Sequence, residues 1–306
     1  MLACAALLAL LAQGGCAFAQ GDPAAGAPEE GERALERALT RQNVFVLPKG
    51  AYELEPAIEY TYRGTDALDI VNVSGTPQVA RQDVKQDRLE TRLTLRAGLP
   101  GASHVEIRIP YVFLRTDRST ADQLGQTTHE TGFGDLQIAF TKQLAQERPA
   151  RPGLLGSVTW RAPTGEFRLG EPSEGSGFHL LQGALTLVKR QDPLVFYGTA
   201  SYTWALERRH GDFEVDPGDA VGLKLGTILA ASPQTSLRGG FEATRSGRTK
   251  FNGVERPGSD AAVATLQFGL ATLLSRRSLL DIQLSVGLTS DSPDFALAVS
   301  VPIRFQ

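Results

Sequence analysis

The chain has 306 residues, of which 42% are hydrophobic, and its formal net charge is −3. This hydrophobic share is ordinary and argues against a bundle of membrane helices, because each helix would need about 20 consecutive apolar residues. A slightly acidic chain also gives no sign of a nucleic-acid partner.

Residues 1–19 have the pattern of a signal peptide. A short apolar stretch is followed by an A-x-A cleavage pattern at 17–19. No Lys or Arg precedes the stretch, so we expect either an incomplete signal with a start codon further upstream or a lipoprotein signal that uses Cys16. Cys4 and Cys16 are the only cysteines, so a mature chain would have no disulfide, zinc-thiolate site or thiol nucleophile.

Residues 20–31 are rich in Pro, Gly, Ala and acidic side chains, which predicts a flexible linker. Residues 32–50 then hold a predicted amphipathic helix and an entry segment. The helix, at 32–42, is about three turns long, too short to be stable alone in water, so we expect it to dock as a plug or to pair with copies of itself. The residues expected to carry this role are Arg33, Leu35, Glu36, Arg37, Leu39 and Arg41. Pro48 and Gly50 end the helical pattern.

From residue 51 onward the apolar period changes to two, which predicts an all-β fold. Each patterned run lasts around ten residues, close to the 9–11 that a tilted strand needs to cross a bilayer. Strands of a soluble sandwich average nearer 5–6. The runs lie near 51–63, 87–99, 103–114, 134–144, 153–163, 178–189, 194–206, 219–231, 235–246, 260–274, 278–289 and 294–305. We therefore predict a transmembrane antiparallel up-and-down β-barrel of about 12 strands over 51–306.

The connections alternate between short and long, as expected for periplasmic turns and external loops. The predicted long loops lie near 64–86, 115–133, 164–177, 207–218 and 247–259. Aromatic residues collect near the strand ends, where interfacial girdles form. Those placed on the outer side are Tyr60, Tyr62, Tyr111, Phe113, Tyr202 and Trp204, with Phe140, Phe295 and Phe305 elsewhere.

Charged residues of both signs occupy the predicted lumen side of the first three strands. They are Glu53, Glu55, Glu59, Arg88, Glu90, Arg92, Arg96, Glu106 and Arg108. Two roles stay open for them: a lumen field that selects solutes or holds the helix, or a network of salt bridges that stiffens the barrel wall.

No catalytic motif, metal site or cofactor site is predicted. The histidines, His104, His129, His179 and His210, are scattered along the chain. The acidic stretch at 211–219 lacks EF-hand spacing, so a solvated loop is the favoured interpretation.

Two short stretches and the last strand carry a resemblance to known proteins. The terminal aromatic Phe305 resembles the assembly signal of Gram-negative outer-membrane barrels, which the barrel assembly machinery reads. The stretch "GFGDLQIAFTKQL" at 132–144 is similar to a strand of the outer-membrane family named for the meta-pathway of phenol degradation. Residues 35–62 resemble the branch of that family that includes FapF, the channel that exports functional amyloid subunits. The resemblance implies a barrel of roughly twelve strands, a plugging N-terminal helix and a homotrimer as one assembly.

These features predict a channel of the bacterial outer membrane that passes a solute or a polypeptide, gated by the N-terminal helix. The expected partners are outer-membrane lipid, the barrel assembly machinery and the transported molecule. Two alternatives stay open: an outer-membrane enzyme acting on lipid or lipopolysaccharide, and a periplasmic β-sandwich that binds a ligand.

Overall fold

The structure, a computed structural model, describes residues 45–73, 76–120, 123–167, 174–211 and 213–305. Our predictions for the signal peptide, the linker and the helix lie outside these residues. Within them, no helix is long and apolar enough to span a membrane.

The described residues form eighteen β-strands, and every pairing between them is antiparallel. Their bounds are β1 (Tyr52–Val73), β2 (Thr76–Leu99), β3 (Ser103–Thr120), β4 (Gln123–Phe133), β5 (Gln137–Ala145), β6 (Gly153–Arg161), β7 (Leu180–Gln191), β8 (Leu194–Ala205), β9 (Arg208–His210), β10 (Phe213–Asp216), β11 (Ala220–Ser232), β12 (Thr235–Ser246), β13 (Lys250–Phe251), β14 (Val254–Glu255), β15 (Ala261–Leu273), β16 (Leu279–Gly287), β17 (Phe295–Ser300) and β18 (Ile303–Phe305).

Fourteen of these strands form one sheet that closes on itself, because β1 pairs with β2 on one side and with β17 and β18 on the other. β4 and β5 both pair with β3 and together form one strand of the wall. β17 and β18 likewise form one strand, interrupted at Pro302, which has no amide hydrogen for the ladder. The result is a closed 12-strand antiparallel barrel, which confirms the predicted fold.

The two faces of the wall differ in the way a membrane barrel requires. Large apolar side chains lie on the outside, where Leu185 is 54% and Phe268 53% exposed. Charged side chains lie on the inside, where Glu55 is 2% and Arg96 4% exposed. A soluble β-sandwich would bury its leucines and expose its arginines, so this orientation defines a lipid-facing barrel around a polar lumen.

Aromatic rings form a band around the external end of the barrel. The ring pairs are Tyr62 with Phe295, Tyr111 with Phe133 and Tyr202 with Trp204, at centroid distances of 5.9, 5.1 and 4.8 Å. Phe295, which we placed elsewhere, therefore belongs to the external group. Amphipathic rings suit the headgroup level of a bilayer, so the band marks the outer interface.

Two of the predicted external loops were wrong. Residues 64–86 continue β1 and β2 as a paired hairpin up to the Val73–Thr76 pair, and 115–133 continue β3 and β4 in the same way. In the sequence, residues 115–133 are mostly polar, and residues 64–86 mix polar and apolar residues without strict alternation. Our criterion of apolar alternation therefore missed them. Parts of 207–218 and 247–259 pair as a small separate sheet, in the order β14-β13-β10-β9.

Candidate functional site: the barrel lumen

The segment that precedes β1 lies inside the barrel at its periplasmic end. Val46 and Leu47 are buried, although they belong to no strand. Val46 packs into an apolar cluster on the lumen side of the wall, formed with Leu155, Val188, Val195, Tyr197, Ile228, Ala271 and Leu279. We call residues 45–50 the entry segment. It covers part of the lumen floor.

A tight turn aims the entry segment into the lumen. The Ala51 amide donates to the Pro48 carbonyl at 3.1 Å, and Gly50 adopts a positive φ of 81°, which glycine allows without strain. The Gly50 amide donates to the Gly98 carbonyl of β2 at 3.1 Å. Leu47 donates its amide hydrogen to Nδ1 of His104 at 3.4 Å. The "LPKG" stretch thus fixes the segment to the barrel wall.

Beside the entry segment lies a buried ion cluster centred on Arg96 of β2. Its guanidinium contacts Glu53 at 2.8 Å, Glu106 at 2.6 Å and also Glu55. Arg304 of β18 reaches Glu53 at 3.5 Å. All of these side chains are at most 9% exposed, so each charge depends on its partners for stabilisation.

A second, more exposed group of charges lies higher in the lumen. Glu90 bridges Arg88 at 3.0 Å and Arg92 at 3.3 Å, and Arg92 also lies 3.7 Å from Glu59. Arg108 contacts Glu106 at 2.9 Å and so belongs to the Arg96 cluster. The structure thus places every predicted lumen-lining residue on the inner side of the wall, in two separate groups of ion pairs.

The described parts of the connection between β6 and β7, residues 162–167 and 174–179, fold into the lumen from the external end. The carbonyl oxygen of Glu174 lies 3.2 Å from the point where a β-carbon on Gly134 would stand. The ring of Pro110, a lumen-facing residue of β3, lies 3.0 Å from the same point. We had predicted an ordinary external loop near 164–177, and the inward path differs from that expectation.

Asp135, at the break between β4 and β5, holds this inward segment. Its carboxylate accepts hydrogen bonds from the Gly165 amide at 3.1 Å and from the Ser176 amide and hydroxyl at 2.8 and 2.6 Å. The aspartate of the "GFGD" stretch therefore anchors backbone rather than lining an open pore. The sequence singled out this stretch only by resemblance and did not reveal its partner.

Further lumen charges escaped the sequence analysis. Arg238 and Asp281 form a buried pair at 2.7 Å, and Lys224 lies 3.5 Å from Glu242. Arg161, at the end of β6, also faces inward, because its neighbour Trp160 is exposed on the lipid side. The sequence contained a signal for these five charged residues, since each of them alternates with apolar residues in the predicted runs.

Two cavities open along the lumen. One of about 790 Å³ lies at the periplasmic mouth between the entry segment and the turns at 99–102 and 146–149. The other, of about 290 Å³, lies higher up and is lined by hydroxyl, amide and carboxylate groups that include Glu59 and Glu242.

The histidines with described side chains are far apart in the fold. His104 accepts from the Leu47 amide, His179 stacks on Trp160 with centroids 5.8 Å apart, and His129 pairs with Arg115 in the extension of β3 and β4. Among the described residues, no group of three His, Cys, Asp or Glu side chains is placed to hold a metal ion.

A closed barrel with a lipid-facing apolar surface, an aromatic band and a charged lumen defines an outer-membrane β-barrel of the channel type. Residues 72–305 match the family model described as "Putative MetA-pathway of phenol degradation", and the chain belongs to this family.

Three solved structures are similar to this chain, and the first of them shares its fold. An outer membrane channel from Pseudomonas putida F1 is 19% identical with a TM-score of 0.66, over 85% of this chain and 97% of that one. The transport unit of the autotransporter AIDA-I from Escherichia coli is 10% identical with a TM-score of 0.47, over 91% and 99% of the two chains. The NanC porin is 10% identical with a TM-score of 0.48, over 82% and 99%.

Proposed function

We propose that this protein is an outer-membrane channel for small polar solutes, and that the entry segment narrows its periplasmic end. The observation that carries the proposal is the burial of Val46 and Leu47 against the inner wall. A segment held there reduces the free cross-section of the lumen.

Small solutes fit the lumen better than a polypeptide. The entry segment lies in it at the periplasmic end, and residues 162–167 and 174–179 fold into it at the external end. A polypeptide in extended conformation would have to displace both. Export of amyloid subunits, the role of the FapF-like branch, would therefore need a large rearrangement of this lumen. The family description, which concerns phenol degradation, also favours a small molecule.

The proposal includes a gating role for the predicted helix at 32–42, with Arg33, Glu36, Arg37 and Arg41 as its charged residues. The helix directly precedes the entry segment in the chain, so its movement would pull on residues 45–50.

Recognition of Phe305 by the barrel assembly machinery is a further part of the proposal. Phe305 is 46% exposed and pairs with Tyr52 at the periplasmic edge, where a receptor could reach it. A homotrimer is the proposed assembly.

Single-channel conductance in planar bilayers tests the proposal. We compare the full chain with two truncations behind the same signal peptide, one that begins at residue 45 and one that begins at residue 51. The second should conduct more than the first, because only it lacks the entry segment. Equal conductance of the two would refute the narrowing role, and the absence of conductance from all three would refute the channel. Heat-modifiable migration on gels verifies that each barrel is folded.

A rise in conductance when only residues 1–44 are removed would assign gating to the predicted helix region. Chemical cross-linking of the full chain in outer membranes tests the trimer.

A further inference from the structure

We propose that Arg108, Gln137 and Arg161 form a subsite in the lumen that binds small organic carboxylates and makes the channel prefer anions. This inference rests on the proposed channel function and names the class of solute.

The three residues form one row across three neighbouring strands. Arg108 of β3 pairs directly with Gln137 of β5, and Gln137 pairs directly with Arg161 of β6. Neighbouring strands are about 4.8 Å apart, so the two arginine backbones are separated by about 10 Å. Arg108 donates from Nη1 to Oε1 of Gln137 at 3.4 Å, which leaves the Gln137 amide group as a donor between the two guanidinium groups.

Arg161 differs from the other lumen arginines in its partners. Arg88 and Arg92 share Glu90, and Arg108 contacts Glu106. In the described part of the chain, no carboxylate forms an ion pair with Arg161. Its guanidinium therefore has donors to offer a solute.

Two acidic groups act on Arg161, Asp135 and Glu90, and neither fills this role. Glu90 bridges Arg88 and Arg92. Asp135 is among the charges that act on Arg161, but its oxygens accept hydrogen bonds from Gly165 and Ser176. Arg108 is a further neighbouring charge of the same sign. A half-buried guanidinium beside a second one is stabilised by an anion, and a carboxylate matches the planar fork of donors.

The row also lies on the path of a solute. The amide of Ala162, the residue after Arg161, donates to the Leu136 carbonyl at 2.8 Å, where the inward segment begins. A solute that passes this segment from outside therefore meets the row next.

The other carboxylates that line the lumen cavity already have positively charged partners. Glu59 lies 3.7 Å from Arg92, and Glu242 lies 3.5 Å from Lys224. These pairs leave a cation little to bind, which favours an anionic solute over a cationic one.

Reversal potentials across a KCl gradient and block by succinate test the subsite, with succinamide as the uncharged probe of the same length. The full-length channel should prefer chloride over potassium, and succinate but not succinamide should reduce the current. Arg161→Gln should raise the half-blocking succinate concentration about tenfold or more. The matched control, Lys224→Gln, also removes one lumen charge and should change it by less than about twofold.

A cation-selective channel, equal block by both probes, or equal effects of the two substitutions would overturn the subsite and leave the channel intact. If neither the full chain nor either truncation carries current, the proposed channel function fails. Calorimetric titration of succinate into the detergent-solubilised full chain then decides the subsite, since heat of binding that Arg161→Gln abolishes supports it and absent heat refutes it.

Discussion

The backbone carbonyl of Pro48 lies so close to the α-carbon of Gly98 that a β-carbon at position 98 would overlap it. Glycine at this point of β2 is what lets the entry segment lie against the wall. We expect Gly98→Ala to displace the entry segment and raise single-channel conductance while the barrel stays folded. The measurement is conductance in planar bilayers, with heat-modifiable gel migration as the test of folding.

Gly239→Ala is the matched control for this change, because the space around Gly239 is open. It should leave conductance unaltered. If Gly98→Ala behaves like the control, the entry segment does not limit the current.

Removal of Arg96 should destabilise the barrel strongly. Arg96→Met leaves Glu53, Glu55 and Glu106 buried together without their shared cation, and breaking such a cluster costs about 3–5 kcal/mol. Urea unfolding in lipid vesicles measures the free energy.

The control for this prediction is Arg248→Met on the external side. Arg248 pairs with Glu255 at 3.2 Å and with Asp260 at 3.6 Å in solvent. Exposed pairs contribute little, so its unfolding curve should match that of the unaltered protein. A similar loss for both substitutions would show that the burial of the Arg96 cluster is irrelevant.

Asp135→Ala should free the inward segment. The substitution removes the acceptor for the Gly165 amide and for both donors of Ser176, so the inward segment loses these three hydrogen bonds to the wall. We expect limited proteolysis to cut within 162–179 at least several-fold faster than before.

Glu255→Ala, in the separate external sheet, serves as the comparison and should leave the cutting rate within 162–179 unchanged. An unaltered rate for Asp135→Ala would contradict the anchoring role.

A charged side chain on the lipid-facing side of the wall should destabilise the barrel. Leu225 is 47% exposed on the lipid side of β11, and Leu225→Lys should destabilise the barrel by about 2–4 kcal/mol if its depth is near the bilayer centre. Lys224, one position earlier, shows that the same charge is accommodated on the lumen side, where it lies 3.5 Å from Glu242.

Val254→Lys is the corresponding control, since Val254 is 70% exposed on the external sheet. Urea unfolding in vesicles should give a lower free energy of unfolding for Leu225→Lys than for Val254→Lys. Equal stability would argue against a lipid contact at Leu225.

The sequence predicted those features that recur every two residues. Alternation over membrane-crossing lengths was enough for the closed barrel, because every transmembrane strand must present an apolar side to lipid. The extensions of β1 to β4 were missed, since their sequences lack a strict apolar alternation. Contacts between distant segments, such as Pro48 with Gly98 or Asp135 with Ser176, have no periodic signal. Only the fold brings them together.

The ion cluster around Arg96 also has a consequence for biogenesis. Glu53 belongs to the first strand of the wall and Arg304 to the last, and their side chains are 3.5 Å apart across the seam. This contact cannot form on an open sheet, so its contribution arises only at the final step of insertion. The Arg304–Glu53 contact thus stabilises only the closed barrel, and a chain that lacks it would lose this stabilisation at closure.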